Sequence, residues 1–172
     1  LYFTRDEALW AVPVSLAGSF SMGAPREVTR IPLNLVLTFD TSTSVDVAPD
    51  GRFLAHGRRT VPRFYADRVR LVLHDRAAGT KRVLTEGWDR SAAGLVWTPD
   101  SRALLGAIDD AGTQRIHRID AASGRVTPLT ASQSFSGVAL SADGATAVAL
   151  RQSFREPPTL VRLDLGTGAA AK

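Results

Sequence analysis

The sequence contains no cysteine, which excludes disulfide bonds, thiolate metal sites and a cysteine nucleophile. No apolar run approaches the roughly 18 to 20 residues that a membrane-spanning helix needs. The first residues, Leu1 to Glu7, lack the basic and apolar segments of a signal peptide. We therefore expect no membrane partner and no leader within these residues. The sequence fits both the bacterial periplasm and the cytoplasm, because a cysteine-free chain suits either compartment.

The charge balance argues against a nucleic-acid partner. The 172 residues carry a net charge of +4, with a pI near 10.3, a value that by itself suggests a polyanion binder. However, 19 of the 21 cations are arginine, and they are dispersed among 17 acidic residues. A dispersed pattern indicates solvated strand faces and turns rather than one basic groove. With 44% hydrophobic residues, the chain has the composition of a soluble globular domain.

Three segments repeat one pattern. Each has an apolar run, then a turn in which Pro or Ala is followed by Asp and then by Gly or Ser, and then a second apolar run. They are 45–55, 95–105 and 138–148. The turn residues fit a β-hairpin, because proline presets φ, aspartate bonds its own backbone and glycine accepts a positive φ. The turn residues Asp50, Asp100 and Asp143 are separated by 50 and then 43 positions.

A second signature follows each of these hairpins. An aspartate at the end of an apolar strand precedes a glycine by four residues at Asp75, Asp120 and Asp164, which predicts another hairpin turn. After the first two come Leu84-Thr85 and Leu129-Thr130, and Val28-Thr29 matches them earlier in the chain. No segment has a sustained helical period.

The repeat predicts an all-β fold made of four-stranded antiparallel units. Four short strands in roughly 40 to 50 residues have the size of a β-propeller blade. We assign one partial blade to residues 1–30, with strands at 1–4 and 8–12, and three blades to 31–87, 88–131 and 132–172. Because propellers close with about 4 to 8 blades, these three and a half blades are expected to be a fragment of one larger propeller domain.

The sequence offers no catalytic or metal-binding motif. The string Gly-x-Ser-x-Gly, which marks the nucleophile of an α/β-hydrolase, does not occur. Ser123 and Ser141 fall at predicted turns, and 109–113, which contains the paired carboxylates of Asp109 and Asp110, is interpreted as the turn between two middle strands. The histidines have no partner at metal-ligand spacing. We therefore predict no catalytic residue, no metal and no cofactor in these residues.

One segment, Arg58 to Arg68, breaks the repeat. It adds a loop of about nine residues between the second and third strands of its blade. Loops on a rigid scaffold often carry recognition, and arginine beside aromatic residues suits carboxylates and peptide backbone. The candidate substrate-gating residues are Arg59, Arg63, Phe64 and Tyr65. A plain surface insertion is the alternative interpretation.

A linked series of strings resembles the N-terminal propeller of the prolyl oligopeptidase family of serine peptidases. The strings are 70–76, 82–85, 88–91, 96–101 and 119–130. Within the family they are most similar to bacterial acylaminoacyl-peptidase and dipeptidyl-peptidase 5-like members. The likeness extends over about residues 45 to 168. The isolated Pro-Asp-Gly and Asp-x-x-x-Gly elements also fit TolB-like propellers, and the linked strings favour the peptidase.

This resemblance implies a propeller of seven or eight blades stacked on an α/β-hydrolase domain that bears Ser, Asp and His. The propeller then admits short peptides and keeps out folded proteins. These residues contain no triad position, so the chain by itself is expected to be inactive. The implied partners are short peptide substrates, the chain's own hydrolase domain and further subunits of a homo-oligomer.

Two rival functions follow from the same residues. A noncatalytic TolB-like propeller of the periplasm would use the same turns as a docking platform, and its complete chain would consist mainly of blades. A nucleic-acid or polyanion binder would use the dispersed arginines, and its affinity would fall steeply as salt rises.

Overall fold

The computed structural model describes residues 2–5, 8–15, 17–18, 20–30, 45–61, 64, 66–92 and 94–171. The chain divides into two compact units, Leu1–Leu35 and Val36–Lys172. Within the described ranges all regular structure is β-strand, as the repeat predicts. No helix long and apolar enough to cross a membrane is found in the described part of the chain.

The first unit contains a three-stranded antiparallel sheet and a short hairpin. The sheet joins β1 (Tyr2–Arg5), β2 (Ala8–Ala11) and β5 (Arg26–Arg30), and the hairpin joins β3 (Val14–Ser15) and β4 (Ser21–Met22). The first two strands agree with prediction to within a residue. Sequence reasoning missed the third, in which Leu9 of β2 lies opposite Thr29, because Arg26–Arg30 has a single apolar residue, Val28, among five positions and shows no strand period.

The second unit contains three four-stranded antiparallel sheets in sequential strand order. The first sheet comprises β6 (Val45–Val47), β7 (Phe53–Arg58), β8 (Arg70–Asp75) and β9 (Thr80–Val83). The second comprises β10 (Val96–Trp97), β11 (Ala103–Asp110), β12 (Thr113–Asp120) and β13 (Val126–Pro128). The third comprises β14 (Ser134–Leu140), β15 (Thr146–Ser153), β16 (Glu156–Asp164) and β17 (Ala170–Ala171). Such four-stranded meanders are typical of propeller blades, and residues 31–44 lie outside the described part.

The repeated aspartates close the hairpins, as predicted. In the turns between first and second strands, the carboxylates of Asp50, Asp100 and Asp143 each accept a backbone N–H from two residues further on, at 2.9–3.0 Å. In the turns between third and fourth strands, Asp120 accepts the Ser123 N–H at 2.7 Å and Asp164 accepts the Thr167 N–H at 2.8 Å. Through these bonds, the aspartate side chain at the start of each turn fixes the backbone of that turn.

Two apolar clusters fill the spaces between consecutive sheets. The first packs Ala55, Leu71 and Leu73 of the first sheet against Leu104 and Ile119 of the second. The second cluster, with the same arrangement one sheet further on, contains Leu105, Ile116, Phe135, Ala147, Ala149, Val161 and Leu163. Because strand side chains alternate between faces, the second sheet contributes to both clusters.

The Leu-Thr pairs join each sheet to the next. The Oγ1 of Thr85 accepts the N–H of Leu71 at 2.9 Å, and Thr130 does the same for Ile116 at 3.0 Å. The carbonyl of Leu84 then lies so close to Gly124 of the next sheet that a Cβ there would be 2.5 Å from the oxygen. Gly168 meets the carbonyl of Leu129 in the same way, so the glycines are required for close approach.

The third sheet contains two prolines within one of its strands. Pro157 and Pro158 lie inside β16. The register between β15 and β16 shifts between Arg151 and Ser153, next to these prolines. A proline has no N–H for a ladder hydrogen bond, and an irregularity in the register accommodates it.

Candidate functional site

The predicted loop is present between β7 and β8. Arg58 ends β7 and lies opposite Arg70, the first residue of β8, so the insertion leaves the register of the two strands intact. Of the four candidate gating residues, Arg59 and Phe64 are described, whereas Arg63 and Tyr65 lie outside the described residues. The gating role of all four stays a prediction.

Asp67 fixes the base of the loop. Its Oδ2 accepts the N–H of Thr60 and, at 2.9 Å, the N–H of Val61. Its Oδ1 lies 3.4 Å from Nη1 of Arg70. These bonds, the one from Val61 above all, hold the pKa of Asp67 below its usual value, so the group stays a carboxylate at neutral pH. The two ends of the loop are therefore tied together by one charged acceptor.

Arg68 ties the loop to the connector between the first and second sheets, residues 84–95. Its guanidinium donates to the carbonyl of Trp88 and, at 2.9 Å, to the carbonyl of Glu86. The N–H of Val69 donates to Oγ of Ser91 at 3.1 Å. The base of the loop is thus held from two directions, by its own aspartate and by the connector.

The described residues near the tip of the loop include two apolar side chains that are open to solvent. Val61 is 50% exposed and Phe64 is 53% exposed. Two successive turns hold them, because Phe64 N–H donates to the Val61 carbonyl at 3.4 Å and Asp67 N–H donates to the Phe64 carbonyl at 3.1 Å. Arg59, a predicted ligand-binding residue, uses its Nε to donate to the carbonyl of Asp67 at 3.1 Å. Part of its hydrogen-bonding capacity therefore serves the loop itself.

A charged cluster centred on Asp110 lies on the other side of the connector. Nε of Arg90 is 3.0 Å from Oδ1 of Asp110, and Nη1 of Arg115 is 3.5 Å from Oδ2. Nε2 of His117 lies 3.7 Å from the same Oδ2. The hydrogen bond from Arg90, with the charges of both arginines, lowers the pKa of Asp110. The ring of His117 packs against Trp88 with centroids 5.3 Å apart.

Sequence reasoning missed the Asp110 cluster. It placed 109–113 at the turn between two middle strands, and the structure has that turn at Ala111-Gly112, with Asp109 and Asp110 as the last two residues of β11. The available signal was the period of two along β12, which puts Arg115 and His117 on one face. Trp88 joins the two groups of residues, because its carbonyl is bonded to Arg68 and its ring contacts His117. We call this combined surface, made of the described residues of 58–68 and 84–95 together with Asp110, Arg115 and His117, the loop edge.

The opposite ends of the strands are built differently. There the carboxylates of Asp75, Asp120 and Asp164 accept hydrogen bonds within their own turns. The pKa of Asp120 is lowered by the Ser123 hydroxyl first and then by the Ser123 N–H. Ser123 and Ser141 donate their hydroxyls to turn aspartates at 2.7 and 2.6 Å, which confirms the prediction that both serve hairpin geometry.

The described part of the loop edge offers apolar and cationic side chains. It combines exposed apolar side chains with guanidinium groups, which suits an extended peptide. Within the described ranges, no group of three or more His, Asp or Glu side chains is placed to hold a metal ion.

Comparisons with known proteins place the fold. No protein-family model and no curated protein matches the chain. Among solved structures, TolB from Acinetobacter baumannii is similar with 19% identity and a TM-score of 0.62, over 95% of this chain and 40% of that one. Puromycin hydrolase is similar with 20% identity and a TM-score of 0.65, over 98% of this chain and 29% of that one.

A structure from a study of two prolyl endopeptidases is also similar, with 16% identity and a TM-score of 0.56, over 99% of this chain and 28% of that one. The chain therefore spans well under half the length of each of these three proteins. At such identities the likeness concerns the fold. Together with the four-stranded sheets, this likeness shows that the chain has a β-propeller fold similar to parts of TolB, puromycin hydrolase and a prolyl endopeptidase.

Proposed function

We propose that this chain is the propeller region of a serine exopeptidase of the prolyl oligopeptidase type, with dipeptidyl-peptidase or acylaminoacyl-peptidase specificity. In this proposal a separate α/β-hydrolase domain supplies the Ser, His and Asp of catalysis. The loop edge controls which peptides reach that domain. Two findings support the proposal: the structural likeness to puromycin hydrolase and a prolyl endopeptidase, and the linked strings between Arg70 and Thr130.

The observation that carries the gating role is the construction of the loop. Its base is fixed by Asp67 and Arg68, while Val61 and Phe64 are half exposed at its tip. A fixed base costs little entropy when a ligand binds, and an apolar tip contributes contact area. Such a loop obstructs a wide substrate and contacts a narrow one.

The first experiment tests for a catalytic serine. The natural full-length protein is incubated with a serine-directed fluorophosphonate, and the modified residue is located by peptide mass spectrometry. We expect one labelled serine outside residues 1–172, since these lack Gly-x-Ser-x-Gly. A complete chain without such a serine would refute the peptidase and favour the alternative, a noncatalytic TolB-like binding propeller.

The second experiment tests the loop. The double variant Val61→Ser and Phe64→Ser is compared with Phe154→Ser, which changes a fully exposed phenylalanine in the β15–β16 turn. For each full-length enzyme, kcat/KM is measured for a dipeptidyl or acyl-aminoacyl anilide and for a peptide of about ten residues. We expect the loop variant to raise the ratio of long to short substrate about 3- to 10-fold, equivalent to about 1 kcal/mol. An unchanged ratio of long to short substrate would show that the loop does not select substrates by length and is a plain surface insertion.

A further inference from the structure

A groove opens between the first and second sheets, at the ends of their strands that lie opposite the loop edge. Its volume is about 480 Å³, which is within the range of pockets that take small ligands. The first sheet contributes Arg52, Phe53 and Arg82 to its lining, and the second contributes Ser101 and Arg102. Three guanidinium groups that are dispersed in the sequence therefore share one cavity, which we call the turn-end groove.

The hairpin turns do not require these arginines. Arg52 and Arg102 each come two residues after a turn aspartate, and each uses its backbone N–H to bond that carboxylate. Ala145 occupies the same position in the third sheet and makes the same bond at 3.0 Å. Arg82 comes seven residues after its turn aspartate, where the second sheet has Thr127. The arginines are therefore a feature of this groove and not of the repeat.

Two of the three guanidinium groups are held in place. Nη2 and Nε of Arg52 lie 2.7 and 3.1 Å from Oδ2 of Asp75, and its guanidinium carbon lies 4.7 Å from the centroid of the Phe53 ring. Arg82 donates to two carbonyls of the second sheet, including that of Ala122 at 2.7 Å. Because an arginine has five N–H donors, both side chains keep donors for a ligand. Their fixed positions reduce the entropy that binding would cost.

The groove has positive charge that its own acids do not use. The exposed guanidinium of Arg102 makes no hydrogen bond or ion pair with the described part of the chain. The two acids of the lining are already bonded, because Asp75 accepts from Arg52 and Asp120 accepts the N–H and the hydroxyl of Ser123. The three arginines of the lining also outnumber its two acids, so the groove attracts an anion.

Ser101 adds a hydroxyl to the groove from a strained backbone position. Its φ is +59°, in the left-handed region that favours glycine, and the repeat has Gly51 and Gly144 at the same position. The Oγ of Ser101 accepts the N–H of Asp50 at 3.0 Å, which leaves the hydroxyl proton to donate. Strained residues of this kind cluster at ligand-binding sites.

We propose that the turn-end groove binds a small organic anion with at least two negative charges, carried by carboxylate or phosphate groups. The planar guanidinium groups of Arg52 and Arg102 pair with the oxygen atoms of such a ligand from the two walls. The Ser101 hydroxyl donates a further bond. This inference goes beyond the proposed peptidase function and does not rest on it, because the groove lies at the opposite ends of the strands from the loop.

The test is binding of citrate and of glycerol 3-phosphate to the natural full-length protein, measured by isothermal titration calorimetry with acetate as the monovalent control. We expect citrate or glycerol 3-phosphate to bind at least about 10-fold more tightly than acetate, and the tighter of the two identifies the preferred anionic group. Arg102→Ala should weaken that binding about 10-fold or more, as expected when charge-assisted hydrogen bonds are lost. Arg52→Ala should act in the same direction and provides a second reading.

Arg155→Ala is the matched control, since it removes one positive charge from the exposed β15–β16 turn, outside the groove. It should change the affinity by less than about 2-fold. Absence of binding by both probes up to about 10 mM would overturn the proposal. Equal weakening by Arg102→Ala and Arg155→Ala would also overturn it and would favour a polyanion binder that uses the dispersed arginines. Circular dichroism of each variant establishes that it is folded.

Discussion

The close approach of Gly124 to the preceding sheet predicts a large effect of adding a single methyl group. Gly124 has φ of +74°, and a Cβ at this position would lie 2.5 Å from the carbonyl oxygen of Leu84. An alanine in the left-handed region costs about 1–2 kcal/mol. Because the obstacle is backbone, relieving the overlap requires the sheets to move, and overpacking of this kind costs a further ~1–3 kcal/mol.

The chain provides a matched control at the same turn position of the first sheet. Gly79 has φ of +66°, and no described atom lies within 4 Å of a Cβ built there. Gly79→Ala therefore carries the conformational cost alone, and Gly124→Ala carries both. For a chain of this size, about 1–3 kcal/mol of extra destabilisation lowers Tm by about 2–12 °C.

The assay is thermal unfolding of the two variants and the parent protein, followed by far-ultraviolet circular dichroism and checked by urea titration. We expect Gly124→Ala to unfold below Gly79→Ala by that margin. Equal midpoints for the two variants would show that the contact between Gly124 and Leu84 does not limit the spacing of the sheets, and the reasoning would fail. Gly168→Ala, which meets Leu129, should repeat the result one sheet further on.

Three further predictions concern polar groups that the fold places in hydrogen bonds or in the core. Thr85→Val removes the acceptor of the buried Leu71 N–H and should destabilise the protein by about 1–3 kcal/mol in urea unfolding, whereas the exposed Thr127→Val should change stability by less than ~0.5 kcal/mol. Burial lowers the pKa of His56 to about 4, so the unfolded state binds more protons between pH 6.5 and 4. Stability should fall by about 3 kcal/mol as pH drops through this range, and His56→Leu should remove that slope. The lowered pKa of Asp120 contributes stability that is present above pH 3.8 and lost at lower pH. The urea concentration at the unfolding midpoint should therefore fall less steeply below pH 3.8 in Asp120→Asn than in the parent protein. The same pH dependence in both proteins would contradict this.

The fold was accessible from the sequence because its information is local and repeated. Each turn aspartate bonds N–H groups two or three residues away, so a short string such as Pro99-Asp100-Ser101 already specifies a hairpin. Strand alternation then follows from the apolar pattern on both sides. The exposed tip of the loop at Phe64 was also foreseeable, since an insertion that breaks the repeat has no place between packed sheets.

The candidate site was less accessible, because its contacts are not periodic. Arg68 reaches the carbonyl of Trp88 twenty residues away, and Arg90 reaches Asp110 across a sheet boundary. Neither separation along the sequence corresponds to a strand or helix period, so no pattern in the sequence distinguishes these arginines from the solvated ones. The structural use of Arg59 on the carbonyl of Asp67 was missed for the same reason.

The Leu-Thr pairs connect every sheet of the second unit to its immediate neighbour. Interactions of this nearest-neighbour kind make a chain behave as a one-dimensional array, in which loss of one element loosens the adjacent one first. Amide hydrogen exchange should then be slowest at Leu105 and Ile116, which have a cluster partner in the next sheet, and should quicken toward β17. A polypeptide built this way can gain or lose a whole module during evolution with rearrangement confined to two junctions.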